Sequence, residues 1–140
     1  MLREEVTDIL SVRELIYTRL TQRLLEDEGA PYSAAALHMT ETKKGVPTEF
    51  PALNVDFIGE TSTADDLEKT QQNAIISTIE LKAYSDTSLD EASEILDKAG
   101  DVMIAMGYSV IQGPEDVSDT NHAKSARFRR TIGDEDIENL

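Results

Sequence analysis

Apolar positions in the first quarter of the chain recur at helical spacing. Val6, Ile9, Leu10, Leu15, Ile16, Leu20 and Leu24 fall close to i, i+3, i+4, i+7 steps, with Arg3, Glu4, Asp8, Glu14, Arg19 and Arg23 on the other faces. This predicts a helix over residues 3–27. Ser11, with Glu14 three residues on, offers a cap for a second helical piece starting at Val12. Gly29 and Pro31 end the helix. Residues 34–39 fit either a short strand or a helical turn. Residues 40–48, with Lys43-Lys44-Gly45 and Pro47, read as an exposed loop.

The period then changes to two. Over residues 50–58, Leu53, Val55 and Phe57 fall on one face and Ala52, Asn54, Asp56 and Ile58 on the other, as in a half-buried strand. Residues 59–72 are polar and predict a long loop. Residues 73–84 form the clearest strand: Ile75, Ser77, Ile79, Leu81 and Ala83 share one face, while Thr78, Glu80 and Lys82 share the other. A polar second face points to an antiparallel sheet with one side wet or in contact with a partner.

Ser88-Leu89-Asp90-Glu91 is a capping box, in which Ser88 accepts the Glu91 amide and Glu91 reaches back. The helix it opens runs to Met106 on a stripe of Leu89, Ala92, Leu96, Ala99, Val102, Met103 and Met106, and Gly107 is its natural stop. A short strand over 108–112, an acidic loop over 113–121 and a last strand over 123–132 follow. In that last strand Ala126, Phe128 and Ile132 share a face, with Arg127, Arg129 and Thr131 opposite. The expected architecture is α+β: a mainly antiparallel sheet of four to five strands with two helices packed on one face. Residues 1–133 form one domain and residues 134–140 an acidic C-terminal tail, disordered or ordered by a partner.

Composition narrows the function classes. The chain has 140 residues, a formal charge of −15, no Cys and no Trp. One domain is expected at this length. Without cysteine there is no disulfide framework and no thiolate metal site. No run of 18 apolar residues predicts a membrane span. The start, Met1-Leu2-Arg3-Glu4-Glu5, lacks the basic-then-apolar order of a secretory leader. The charge is even: residues 1–70 carry 14 acids and 7 bases, and residues 71–140 carry 14 acids and 6 bases. It belongs to the body of the protein, and it opposes binding to the outside of nucleic acid.

Candidate chemistry is sparse. His38 and His122 lack the H-E-x-x-H neighbourhood of a zinc site and read as solvated side chains. No phosphate-cradling glycine loop and no G-x-S-x-G elbow occurs. Asp116, Asp119 and Asn121 offer oxygen ligands but not the spacing of a calcium loop. No catalytic residue, metal site or cofactor site is assigned, and no enzyme is expected. Lys124, Arg127, Arg129 and Arg130 gather four of the 13 bases within seven positions. Three readings of this cluster stand: pairing with cross-strand acids such as Glu80, an interface with an identical neighbour, or a nucleic-acid patch.

One set of motifs carries more than composition. Phe50-Pro51-Ala52-Leu53-Asn54-Val55 opens a strand. A long strand, Asn73 to Ser85, ends in Tyr84-Ser85. A helix closes at Met106-Gly107-Tyr108, and Ala126-Arg127-Phe128-Arg129 lies in the final strand. Over residues 3 to 133 this resembles the tail terminator (tail completion, or minor capsid) proteins of long-tailed bacteriophages. The first ten residues and segment 33–49 depart from the family pattern.

The resemblance implies a virion protein, assembled in the host cytoplasm, that forms a ring at the head–tail junction. The ring, usually a hexamer, ends polymerisation of the major tail tube protein and meets the head-tail connector. DNA passes through its lumen without specific binding. On that reading Arg127, Arg129, Glu80 and Lys82 are candidate subunit-interface residues. Asp65, Asp66, Glu68, Glu115 and Asp116 are candidates to line the lumen, where acidic side chains repel phosphate. A head-side connector or neck protein, and an acidic α+β binding module unrelated to phage, are the alternatives.

Overall fold

The computed structural model describes residues 9–41, 49–62, 74–117 and 122–133. Helix α1 (Ile9–Thr21) runs on into a π-helical segment, Gln22–Glu26. There the Asp27 amide bonds the Gln22 carbonyl at 2.7 Å, five residues back. Helical backbone continues through Ser11, so the division suggested there does not occur. Ile16, Leu20 and Leu24 are wholly buried, as their spacing predicts. Gly29, at φ +84°, turns the chain away.

Segment 34–40 combines both options the sequence left open. A turn holds Ala36 and Leu37 on the Ser33 carbonyl, and the three-residue strand β1 (His38–Thr40) follows. Then come β2 (Ala52–Ser62), β3 (Ala74–Ser85), α2 (Leu89–Ala105), β4 (Ser109–Asp116) and β5 (His122–Gly133). The sheet order is β1-β2-β3-β5-β4. Among the described residues only β1–β2 is parallel; the other three pairings are antiparallel. The fold is thus α+β: the described residues form a five-stranded, mostly antiparallel sheet and two helices. Because β5 is antiparallel to both β3 and β4, those two strands run the same way, and α2 is the crossover between them.

Cross-strand register explains the core. Leu53 faces Ala83, Val55 faces Leu81, and Phe57 faces Ile79. On the other side of β3, Ile79 faces Phe128 and Leu81 faces Ala126. These side chains meet Ile16, Leu20 and Leu24 of the first helix and Ala92, Ile95, Leu96, Ala99 and Met103 of α2. Gly100 packs against the Phe128 ring, and a Cβ there would make an ordinary contact 3.5 Å from the ring's Cζ.

Two strand ends lie well beyond expectation. Strand β2 runs to Ser62, four residues into the predicted loop, after a register shift at Ile58. Strand β4 reaches Asp116, so Gly113 to Asp116 are strand and not the start of an acidic loop. The register of β4 against β5 shifts twice, between Val110 and Gln112 and between Gln112 and Glu115. Gly113 has φ +91°, and a Cβ there would lie 2.7 Å from the Ser125 carbonyl oxygen. Gly113-Pro114 therefore bends an edge strand instead of ending it.

The sheet's second face is not uniformly polar. At one end Ala52, Tyr84 and Ala123 are buried together under Phe50 and Val117. Alternation had placed Ala52 on the wet side. The flanking residues fold back over that end and close it.

Candidate functional site

The open face of the sheet gathers the candidate interface residues. Glu80 and Arg127 are register partners, with Arg127 Nε 3.4 Å from Glu80 Oε2. Asp56 is the partner of Glu80 on the other side, so two carboxylates and one guanidinium form a row across β2, β3 and β5. One row along, Arg129 Nε lies 3.5 Å from Thr78 Oγ1, and Arg129 is exposed. Lys82 lies between Asn54 and Ser125, without an ion pair among the described residues. The four candidates thus share one surface, and the cross-strand pair expected for Arg127 is formed.

The other two bases of the cluster lie on the helix side. Lys124 Nζ is 3.4 Å from Asp116 Oδ1. Arg130 donates from Nη1 to the Met106 carbonyl at the end of α2. The last turn of α2 has no basic residue of its own, so Arg130 supplies the positive charge that a helix C-terminus favours. The four bases therefore do not act as one patch: Lys124, Arg127 and Arg130 hold the chain to itself.

Of the candidate lumen residues, Asp65, Asp66 and Glu68 lie outside the described residues. Glu115 and Asp116 are exposed on edge strand β4, not in a loop. Glu115 accepts a 2.9 Å hydrogen bond from Gln112, and Asp116 holds Lys124. Of the possible calcium ligands Asp119 and Asn121 also lie outside the described residues, as does the tail 134–140.

Neither histidine is in a loop. His38 is in β1 with Nδ1 3.5 Å from Glu49 Oε1, and His122 opens β5. Among the described residues no three His, Asp or Glu side chains converge as a metal site would need, and no helix is long and apolar enough to cross a membrane. Burial raises the Tyr17 phenol, with a smaller push from Glu41. Burial, then Glu94, Glu91 and Asp97, push Tyr32 up to about 12.

Two surface features were missed in the sequence. Helix α2 exposes Asp90, Glu94, Asp97, Asp101 and Ile104 at steps of four, three, four and three, a continuous stripe opposite its buried side. In a chain with 28 acids such a stripe is easily overlooked. Strand β4 is exposed at all eight positions because α2 lies over β3 and β5. Among large apolar side chains Ile104 is 54% exposed, Val110 46% and Ile111 43%. Neither a protein-family model nor a curated protein sequence matches the chain.

Proposed function

We propose that this chain is a ring-forming virion assembly protein of the tail-terminator kind. It ends growth of a phage tail tube at the head-proximal end and joins the tube to the head connector. DNA passes through the ring without being bound.

The observation that carries this reading is where the resemblance motifs fall within the α+β fold. Tyr84-Ser85 closes β3, and buried Ser85 organises the start of α2. Gly107-Tyr108 ends α2, and the Tyr108 hydroxyl reaches Ser77 at 3.0 Å in the core. Arg127-Phe128-Arg129 lies in β5, with Phe128 in the core and both arginines on the open face. Each motif thus has a physical role at a junction of the fold.

Two further points support it. The open sheet face is mixed in charge, with Lys82, Arg127 and Arg129 beside Asp56 and Glu80, and such a surface suits contact with protein. Glu115 projects acid from an uncovered edge strand, as suits a slippery channel wall, whereas the charge of Asp116 beside it is offset by Lys124.

Negative-stain microscopy of the purified chain tests the reading. Closed rings are expected, with a central hole of roughly 20 Å or more, the scale set by duplex DNA. Added to polymerising tail tube protein, the rings should cap the tubes and shorten them. Rings with no hole of that size, or tubes unaffected in length, would rule the function out.

A further inference from the structure

Two exposed surfaces of this chain are complementary and lie on opposite sides of the sheet. One is the α2 stripe: Asp90, Glu94, Asp97 and Asp101, ending in Ile104. The other is the open sheet face carrying Lys82 and Arg129, at whose β4 end an open groove of about 370 Å³, lined by Gly107, Ser109, Ile111, Arg129, Arg130 and Thr131, marks where the end of α2 meets the sheet. On that face Arg129, which lines the groove, and Lys82, two rows away along the strands, have no carboxylate partner among the described residues, and Ile111 is exposed beside Arg129 in the groove.

We infer that these surfaces dock on each other between copies of the chain, with the acidic stripe of α2 in one copy lying on the open sheet face of the next. The inference rests on the ring reading and names its interface. Asp97 and Glu94 face Lys82 and Arg129, and Ile104 of one copy meets Ile111 of the other. Between Lys82 and Arg129 the carboxylates of Glu80 and Asp56 share the Arg127 guanidinium, which leaves Lys82 and Arg129 as the cations open to an acidic partner surface. An exposed aliphatic side chain ends each patch, so apolar burial accompanies charge pairing.

The two patches belong to different layers of the subunit, helix and sheet. The contact is therefore head-to-tail and not two-fold, the type that closes rings or continues as filaments. The charge of −15 on each copy opposes association at long range. Salt near physiological strength screens that repulsion beyond about 8 Å, while pairs in contact keep more of their attraction.

Charge exchange between two variants tests the docking. The sheet variant carries Lys82→Glu with Arg129→Glu, and the helix variant carries Glu94→Lys with Asp97→Lys. All four positions are on the surface, and circular dichroism should show both variants folded. In sedimentation velocity the wild-type chain should form a closed oligomer. Each variant alone should associate at least tenfold more weakly, because like charges meet. An equal mixture should restore the wild-type mass, since alternating copies then pair opposite charges at every junction.

A variant that alone keeps the wild-type mass, or a mixture that stays monomeric while the wild type assembles, overturns the docking and leaves the ring reading standing. Open filaments instead of rings, abolished by either variant and restored in the mixture, support the docking and overturn the ring reading. A wild-type chain that stays monomeric at its highest soluble concentration overturns both. Unchanged masses, with retention of a duplex DNA oligonucleotide lost only in the sheet variant, would make the sheet face a phosphate surface and overturn the docking.

Discussion

Arg130 of β5 donates to the main-chain carbonyl of Met106, and its guanidinium lies against Gly107, the residue that turns the chain out of α2. Gly107 has φ +94°, and a Cβ there would come within 3.0 Å of the guanidinium. Helix end, turn and sheet are thus locked at one point. Arg130→Ala removes the hydrogen bond and the charge at the helix C-terminus, and should cost about 1–2 kcal/mol. Gly107→Ala combines a strained backbone with crowding and should cost at least about 1 kcal/mol. Urea unfolding followed by circular dichroism measures both. An unchanged midpoint for Arg130→Ala would show that water replaces the guanidinium at no cost.

The start of α2 depends on Ser85 as much as on its cap. Ser88 accepts the Glu91 amide at 3.1 Å, as a capping box predicts. The Glu91 carboxylate, however, receives the Ser85 hydroxyl. Ser85 Oγ also accepts the amides of Thr87 at 2.9 Å and Ser88 at 3.2 Å. Ser85 is fully buried, so Ser85→Ala leaves these donors short of a partner and should cost about 1–3 kcal/mol. Ser88→Ala should cost about 1 kcal/mol. Because both residues hold the same turn, the double variant should lose less than the sum. Strict additivity in urea unfolding would mean that the two hydroxyls act independently.

The Glu80–Arg127 pair is predicted to be asymmetric. Glu80 has only 13% of its side chain exposed, against 43% for Arg127, and Asp56 is its neighbour on the other strand. Removing Arg127 leaves two carboxylates side by side without their cation. Removing Glu80 leaves a guanidinium that can turn to water. Arg127→Ala should therefore destabilise more than Glu80→Ala, by about 0.5–1 kcal/mol, with the gap narrowing in high salt. Equal losses from thermal unfolding of the two variants at low salt would contradict this.

The helix-side alternation of β2, β3 and β5 was legible because each strand repeats apolar residues at period two: Leu53 and Val55, Ile79 and Leu81, Ala126 and Phe128. The cross-strand partner of Arg127 was legible for the same reason, since Glu80 lies on the matching face of a strand that had to be adjacent. Features created by contact were not. Gly113-Pro114 has the composition of a turn, and only pairing with β5 makes it a bulge within a strand. Alternation puts Arg130 on the face opposite Arg129, yet its role depends on a helix end 24 residues away in sequence. The burial of Ala52 and Tyr84 depends on Phe50 and Val117 closing over one end of the sheet, which no periodicity within a strand reports. The α2 stripe was written in the sequence at helical period, but it becomes a surface feature only once the opposite side of the helix is seen to be buried.

Tyr32 should give the protein a weakness in alkali. Its phenol is pushed up to about 12, first by burial and then by Glu94, Glu91 and Asp97. In the unfolded chain a phenol titrates near pH 10, so above about pH 10 the unfolded state sheds a proton that the folded state keeps. The folded state then binds more protons, and stability falls as pH rises. This contribution is fully present below about pH 10 and is lost as pH climbs through about 12. The Tyr32 ring is partly exposed, but its hydroxyl oxygen is shielded from solvent and has no hydrogen-bond partner among the described residues. Tyr32→Phe should therefore change stability at neutral pH by no more than about 1 kcal/mol, in either direction. Its advantage over the wild type should grow steadily as the pH is raised from about 9 to about 11, as the linkage requires. Thermal melts of both proteins across that range decide it: parallel curves would mean that Tyr32 titrates alike in the folded and unfolded chain.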